Sequence, residues 1–175
     1  MLFNAGRRTM LQYISQEGEK LPANDNHEAF TISLWVKGKG TGQNDLRAFS
    51  EGSTDNSNPL FNIGTHSGGA DDTLDIYVRG NNGTIDHVRT TNTPFDDSWR
   101  MITWSQSGAE ISVYVDGVKD DIPIEAGVSP IANPEQAYRV NTTTIGGILR
   151  SNASHWWTGA VDDVGESGPG TEVIG

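Results

Sequence analysis

The chain has 175 residues and no cysteine, with 12 Lys and Arg against 23 Asp and Glu. The length suits one domain with a hydrophobic core of its own, without disulfide staples or thiolate chemistry. A net charge of −11 repels phosphate backbones and so excludes nucleic acid as a natural partner.

The N-terminal stretch MLFNAGRRTMLQYISQ places arginines and polar residues where a signal peptide needs an apolar run. No segment approaches the ~20 apolar residues of a membrane span. These features predict a chain assembled inside a cell, or a domain excised from a longer protein. A short strand is expected at 12–15. The acidic QEGEK at 16–20 reads as loop.

Residues 31–37 (TISLWVK) alternate, with Ile32, Leu34 and Val36 on one face and Thr31, Ser33 and Trp35 on the other. Gly, Ser and Asn-rich loops at 38–44 and 52–59 flank a strand at 46–50, and further strands are predicted at 60–65, 74–79 and 84–90. The run 99–105 (WRMITWS) turns through 106–109 into 110–115 (EISVYV). Asp116-Gly117 then closes a hairpin to Val118 and Lys119. Residues 120–140 form a long connection with Pro123, Pro130 and Pro134 and a short helix near 133–136. Strands at 143–149 and 157–165 complete the pattern. With 21 glycines and no helical period, the chain reads as an all-β, two-sheet sandwich over residues 1–166, followed by a tail at 167–175.

Four segments in order carry a resemblance: FTISLWVKGKG (30–40), FDDSWRMITWSQSGAEISVYVDGV (95–118), TTTIGGI (142–148) and WWTGAVDDVGE (156–166). The chain resembles the laminin-G-like, concanavalin-A-like jelly-roll domains. The resemblance implies two antiparallel sheets of six or seven strands, packed face to face. Such domains are mostly non-catalytic. They bind glycans or proteins, or serve as adhesion and spacer modules, and many carry one structural calcium ion. The chain departs from the family pattern at both ends, where Asn4 stands in place of the first aspartate and Gly165-Glu166-Ser167 follows the Asp-Asp-Val.

The stretch SHWWTGAVDD (154–163) holds most of the candidate site residues. On a strand, Trp156 and Trp157 would face opposite ways. One is expected in the core, like Trp35, Trp99 or Trp104, and the other beside His155 as a sugar-stacking platform or as cover for a sheet edge. Tyr77 is a further candidate for the ligand face. Asp162 and Asp163, with Asn4 and turn carbonyls, are the candidate calcium ligands and would pin the first and last strands together. The histidines at 27, 66, 87 and 155 show no metal-ligand spacing.

A retaining glycoside hydrolase needs two carboxyls about 5–5.5 Å apart. The one acidic pair spaced by two is Glu17 and Glu19, in a loop without flanking aromatics, and no G-x-S-x-G occurs. The expected function is therefore a non-catalytic, extracellular or cell-surface module that binds a glycan or glycosylated surface. The alternative is a structural protein, such as a capsid decoration or fibre component on a virion surface, with neighbouring structural proteins or further copies of itself as partners.

Overall fold

The computed structural model describes residues 1–16, 21, 29–66, 72–80, 83, 85–107, 110–120 and 140–167. Two antiparallel six-stranded sheets contain most of them. The first sheet takes β1 (Leu2–Phe3), β14 (Gly159–Ser167), β3 (Ala29–Gly38), β8 (Trp99–Ser107), β9 (Glu110–Val115) and β10 (Val118–Lys119), in that order. The second takes β2 (Leu11–Ile14), β11 (Thr142–Ile145), β4 (Arg47–Gly52), β5 (Leu60–Thr65), β6 (Leu74–Arg79) and β7 (Ile85–Arg89). A small hairpin joins β12 (Ile148–Leu149) to β13 (Ala153–Ser154). The expected two-layer sandwich is therefore the observed architecture. First and last strands meet at β1 and β14, with Leu2 opposite Ala160.

Strand alternation sends one oily row from each sheet into the shared interior. From β3 come Ile32, Leu34 and Val36; from β8 Ile102 and Trp104; from β5 Phe61 and Ile63; from β6 Leu74, Ile76 and Val78. Trp104 sits at the centre. Phe30 meets it edge-on at 5.0 Å between centroids, and Phe61 stacks at 6.3 Å from across the sandwich. Its buried indole N–H donates to Gln106 Oε1 at 3.3 Å. The ring is thus buried with its one polar atom partnered.

The strand expected at 143–149 is broken into β11 and β12. At the break, Gly146 has φ +88, and a Cβ there would fall onto the Phe3 ring. Glycine lets the chain leave the sheet and fold back over it. The strand expected to begin at 157 begins at Gly159 instead. His155 (φ 53) and Gly159 (φ +144) both leave extended geometry, so neither tryptophan lies within β14. β14 runs to Ser167, beyond the predicted boundary at 166. The helix expected near 133–136, Glu17, Glu19 and His27 lie outside the described residues.

Two tryptophans expected in the core stand on the surface. Trp35 is 39% exposed and Trp99 44%. Their register explains it: Trp35 pairs with Met101 and Trp99 with Lys37, on the outward face of the first sheet, while Ile102 and Val36 take the inward one. Among the described residues, no helix is long and apolar enough to cross a membrane.

Candidate functional site

The outward face of the second sheet is polar and partly covered. Register aligns three rows across it: Gly52, Leu60 and Arg79; Ser50, Asn62 and Tyr77; Arg47, Gly64 and Asp75. The segment that leaves the sheet at Gly146 lies back across these rows. Ser50 Oγ and Thr144 Oγ1 both donate to the Gly147 carbonyl, at 2.9 and 2.8 Å, and Thr142 Oγ1 donates to that of Leu149 at 3.0 Å. Hydroxyls spaced by two along β11 thus form hooks that hold the hairpin down. That spacing was visible in TTTI, but its partner was not.

Beside the hairpin, a charged cluster is built around Arg47, which is 5% exposed. Its Nη2 meets Asp45 Oδ1 at 2.6 Å and lies 3.5 Å from Asp75 Oδ2; its Nη1 donates to the carbonyl of Thr65 at 2.6 Å. The other oxygen of Asp45 faces His155 Nε2 at 3.2 Å, and His155 Nδ1 lies 2.8 Å from Ser154 Oγ. The order Ser, His, Asp is that of a hydrolase relay. Here, however, the aspartate is shared with a guanidinium, which lowers its support for the imidazole. The chain of bonds instead clamps 154–156 onto the 45–47 segment, and Arg47 N–H donates to the His155 carbonyl at 3.0 Å.

Burial alone would raise the Asp45 carboxyl. The His155 hydrogen bond and the Arg47 charge outweigh burial and hold it below its ordinary value. A lowered carboxyl stabilises the fold above the ordinary aspartate value and loses that contribution as pH falls through the lowered one. Urea midpoints taken from about pH 6 to about pH 2 should therefore converge for wild type and Asp45→Asn at the acid end, with wild type the more stable near pH 6. Parallel curves would remove Asp45 from the account.

The structure separates the candidate ligand residues. Trp157 is fully buried, edge-on to Phe95 at 5.3 Å, in space left by Gly38. Trp156 is half-buried and pairs with Arg47 through an isolated parallel bridge. A methyl at Gly147 would lie 3.5 Å from its Cε3, so the ring rests beside that glycine. His155 is half-buried on Asp45. Tyr77 is half-buried in the middle row, opposite Asn62. His155, Trp156 and Tyr77 thus share one side of the molecule, and Trp157 serves the core. Arg47, Asp45, Arg79 and Arg150 escaped the sequence reading, since lone charges in loops and at strand ends carry no periodic signal.

A family model described as the concanavalin A-like lectin/glucanases superfamily, of laminin G type, matches residues 13–165. The chain belongs to this family. Solved structures agree with the laminin-G-like fold. The mouse laminin α1 chain, domains LG4-5, superposes with a TM-score of 0.62 at 14% identity, covering 99% of this chain and 41% of that one. A CBM40 domain of the Ruminococcus gnavus IT-sialidase, bound to α2,3-sialyllactose, gives 0.57 at 13% identity over 78% and 73%. The heptameric SAP-like pentraxin of Limulus polyphemus gives 0.56 at 16% identity over 79% and 63%, so the laminin-G-like chain spans less than two thirds of that protein. No curated protein matches the sequence.

Of the calcium candidates expected for such a laminin-G-like domain, Asn4 and Asp162 stand apart. Phe3 pairs with Gly159, which sets Asn4 opposite Thr158, four residues from Asp162 and so about 13 Å away along the strand. Asn4 Oδ1 accepts from Arg7 N–H at 3.1 Å and caps the 3-10 turn Ala5–Arg7. Asp162 is exposed, across from Trp35. The Asp163 side chain lies outside the described residues. Among the described residues, no three His, Asp or Glu side chains converge on a metal-sized centre.

Proposed function

We propose that this domain is a non-catalytic, extracellular binding module that recognises a glycan or glycosylated surface through the face bearing Tyr77, His155 and Trp156. The observation that carries the reading is Trp156, a half-buried ring on a backbone that is already held in place. It rests beside Gly147 and is tied to Arg47, with His155 anchored next to it on Asp45. A preset aromatic with a neighbouring polar group suits the apolar face and hydroxyls of a sugar, and binding it costs little side-chain entropy. The likeness to a carbohydrate-binding module solved with sialyllactose supports the same reading.

Catalysis does not suit this face. Asp45 lies against Arg47 and His155, which hold its carboxyl below its ordinary value, and an acid held that way is a poor donor of the proton that glycosidic cleavage requires.

A glycan array followed by titration of the best ligand tests the proposal. Trp156→Ala should weaken binding about tenfold, the ~1.4 kcal/mol of one aromatic anchor, with the fold retained. Trp35→Ala with Trp99→Ala should leave affinity unchanged. The reverse pattern would move the site to the first sheet. The second reading, a structural or capsid-type assembly protein, is favoured by edge strand β2, whose Leu11, Tyr13 and Ile14 are 46%, 47% and 49% exposed. No bound glycan, together with concentration-dependent self-association in light scattering, would decide for it.

A further inference from the structure

Among the described residues, the arginines are not all paired with a carboxylate. Arg47 faces Asp45 and Asp75, and Arg100 lies 2.5 Å from Asp96 and 3.0 Å from Asp116. Arg79 and Arg150 differ. Arg79 Nε donates to the Asn58 carbonyl at 2.7 Å and its Nη2 to that of Ser57 at 2.6 Å; Arg150 Nη1 donates to the same Ser57 oxygen at 3.0 Å. Two cations therefore converge on one neutral carbonyl, and no carboxylate among the described residues pairs with either.

Such an arrangement is costly by itself. The two charges repel at short range, and both side chains are half-buried. Burial, then the neighbouring Arg79, weaken the hold of Arg150 on its proton. The surroundings hold further unused hydrogen-bonding capacity. Arg150 Nε is buried without a partner, as are both polar atoms of the Asn62 amide, which is fully buried. Asn62 stands opposite Tyr77, and Tyr77 shares its strand face with Arg79, two residues on. The hairpin held down by Ser50, Thr142 and Thr144 is what carries Arg150 to this place.

We propose that Arg79 and Arg150 form a clamp for the carboxylate of an acidic sugar, with the Tyr77 ring beside it. The proposal rests on the glycan-binding reading and names the ligand class. A planar carboxylate offers two oxygens to the planar guanidinium fork, which a point charge or a neutral hydroxyl matches less well. One anion also offsets the repulsion between the two cations.

Calorimetric titration with 3′-sialyllactose, lactose and sulfated lactose tests it. The first pair differs by one carboxylate-bearing sugar. Sialyllactose should bind at least about tenfold tighter than lactose, with sulfated lactose in between. Arg150→Gln and Arg79→Gln should each remove most of that preference while retaining lactose affinity, which doubles as a folding control. Arg150→Lys should not restore it, since lysine lacks the fork. Trp156→Ala should weaken all three ligands alike and keep the ratio. Equal affinity for lactose and sialyllactose, unchanged in both Gln variants, would overturn the clamp and leave the glycan reading standing. Sulfated lactose binding tightest would overturn the carboxylate assignment. If no glycan of either charge binds, the glycan reading fails and the clamp falls with it.

Discussion

Trp157→Ala should destabilise the domain by about 3–5 kcal/mol, the range for removing a large buried aromatic from a core. The side chain is 0% exposed and contacts Phe95 edge-on. A Cβ on Gly38 would lie 2.8 Å from its Cζ2, so β3 has given up a side chain to seat it. Backbone on both sides is engaged: Trp157 N–H donates to the Gly146 carbonyl at 2.9 Å, and Thr158 N–H to Gln43 Oε1 at 3.2 Å. Neighbours pinned in this way collapse poorly into a void, which places the cost high in the range. Trp157→Phe should cost much less. It keeps an aromatic beside Phe95 and removes an indole N–H that is buried without a partner. Urea denaturation with a constant m-value reads both variants. A Trp157→Ala loss under about 1 kcal/mol would show that the ring is not a core element.

Arg47→Ala should cost a similar ~3–5 kcal/mol, for an electrostatic reason. Arg47 is 5% exposed and Asp75 1%, so the substitution takes a guanidinium from beside a buried carboxylate. The substitution also strips donors from the Thr65 and Leu46 carbonyls. Arg47→Lys keeps the charge but loses the fork, and should fall between wild type and alanine. The double variant Arg47→Ala with Asp75→Asn should regain part of the loss, because the buried charge that Arg47 faced is gone. Denaturation midpoints of the three variants check this. An Arg47→Ala cost within the ~1 kcal/mol of an exposed ion pair would refute it. The same variant should weaken glycan binding, since the Arg47 side chain shares with His155 the Asp45 carboxylate that anchors the imidazole.

Local pattern carried the sheet architecture. Ile32, Leu34 and Val36 alternate with Thr31, Ser33 and Trp35, and that period of two survives in the fold because a strand with one buried face permits one register. Asp116-Gly117 closed its hairpin for an equally local reason: both residues take positive φ, 52° and 79°, as the tight turn demands. Tryptophans were harder. Size and oiliness do not say which face of a strand is inward when both faces carry rings. Trp104 and Trp35 read alike in sequence, yet the first is buried and the second is not.

The candidate site was legible in part. HWW singled out this segment, since two adjacent rings cannot both be satisfied by one core. The split between Trp156 and Trp157 depended on the turns at His155 and Gly159, whose positive φ values break the strand. Register was out of reach for the calcium candidates: adjacent acids at a strand end suggest a cation, but the pairing of β1 with β14 decides how far Asn4 stands from Asp162.

By itself, then, the sequence determined an all-β sandwich, the order of its strands along the chain, and the segment where aromatic and polar groups meet. These follow from periodicity, turn chemistry and composition, which act over a few residues. Tertiary structure alone decided that Arg79 and Arg150 share a carbonyl, that Arg47 joins Asp45 to Asp75, and that a hairpin covers the outer face of the second sheet. Those pairings join residues up to 97 positions apart. Their energies depend on distance and burial, which chain order does not encode until the sheets have closed.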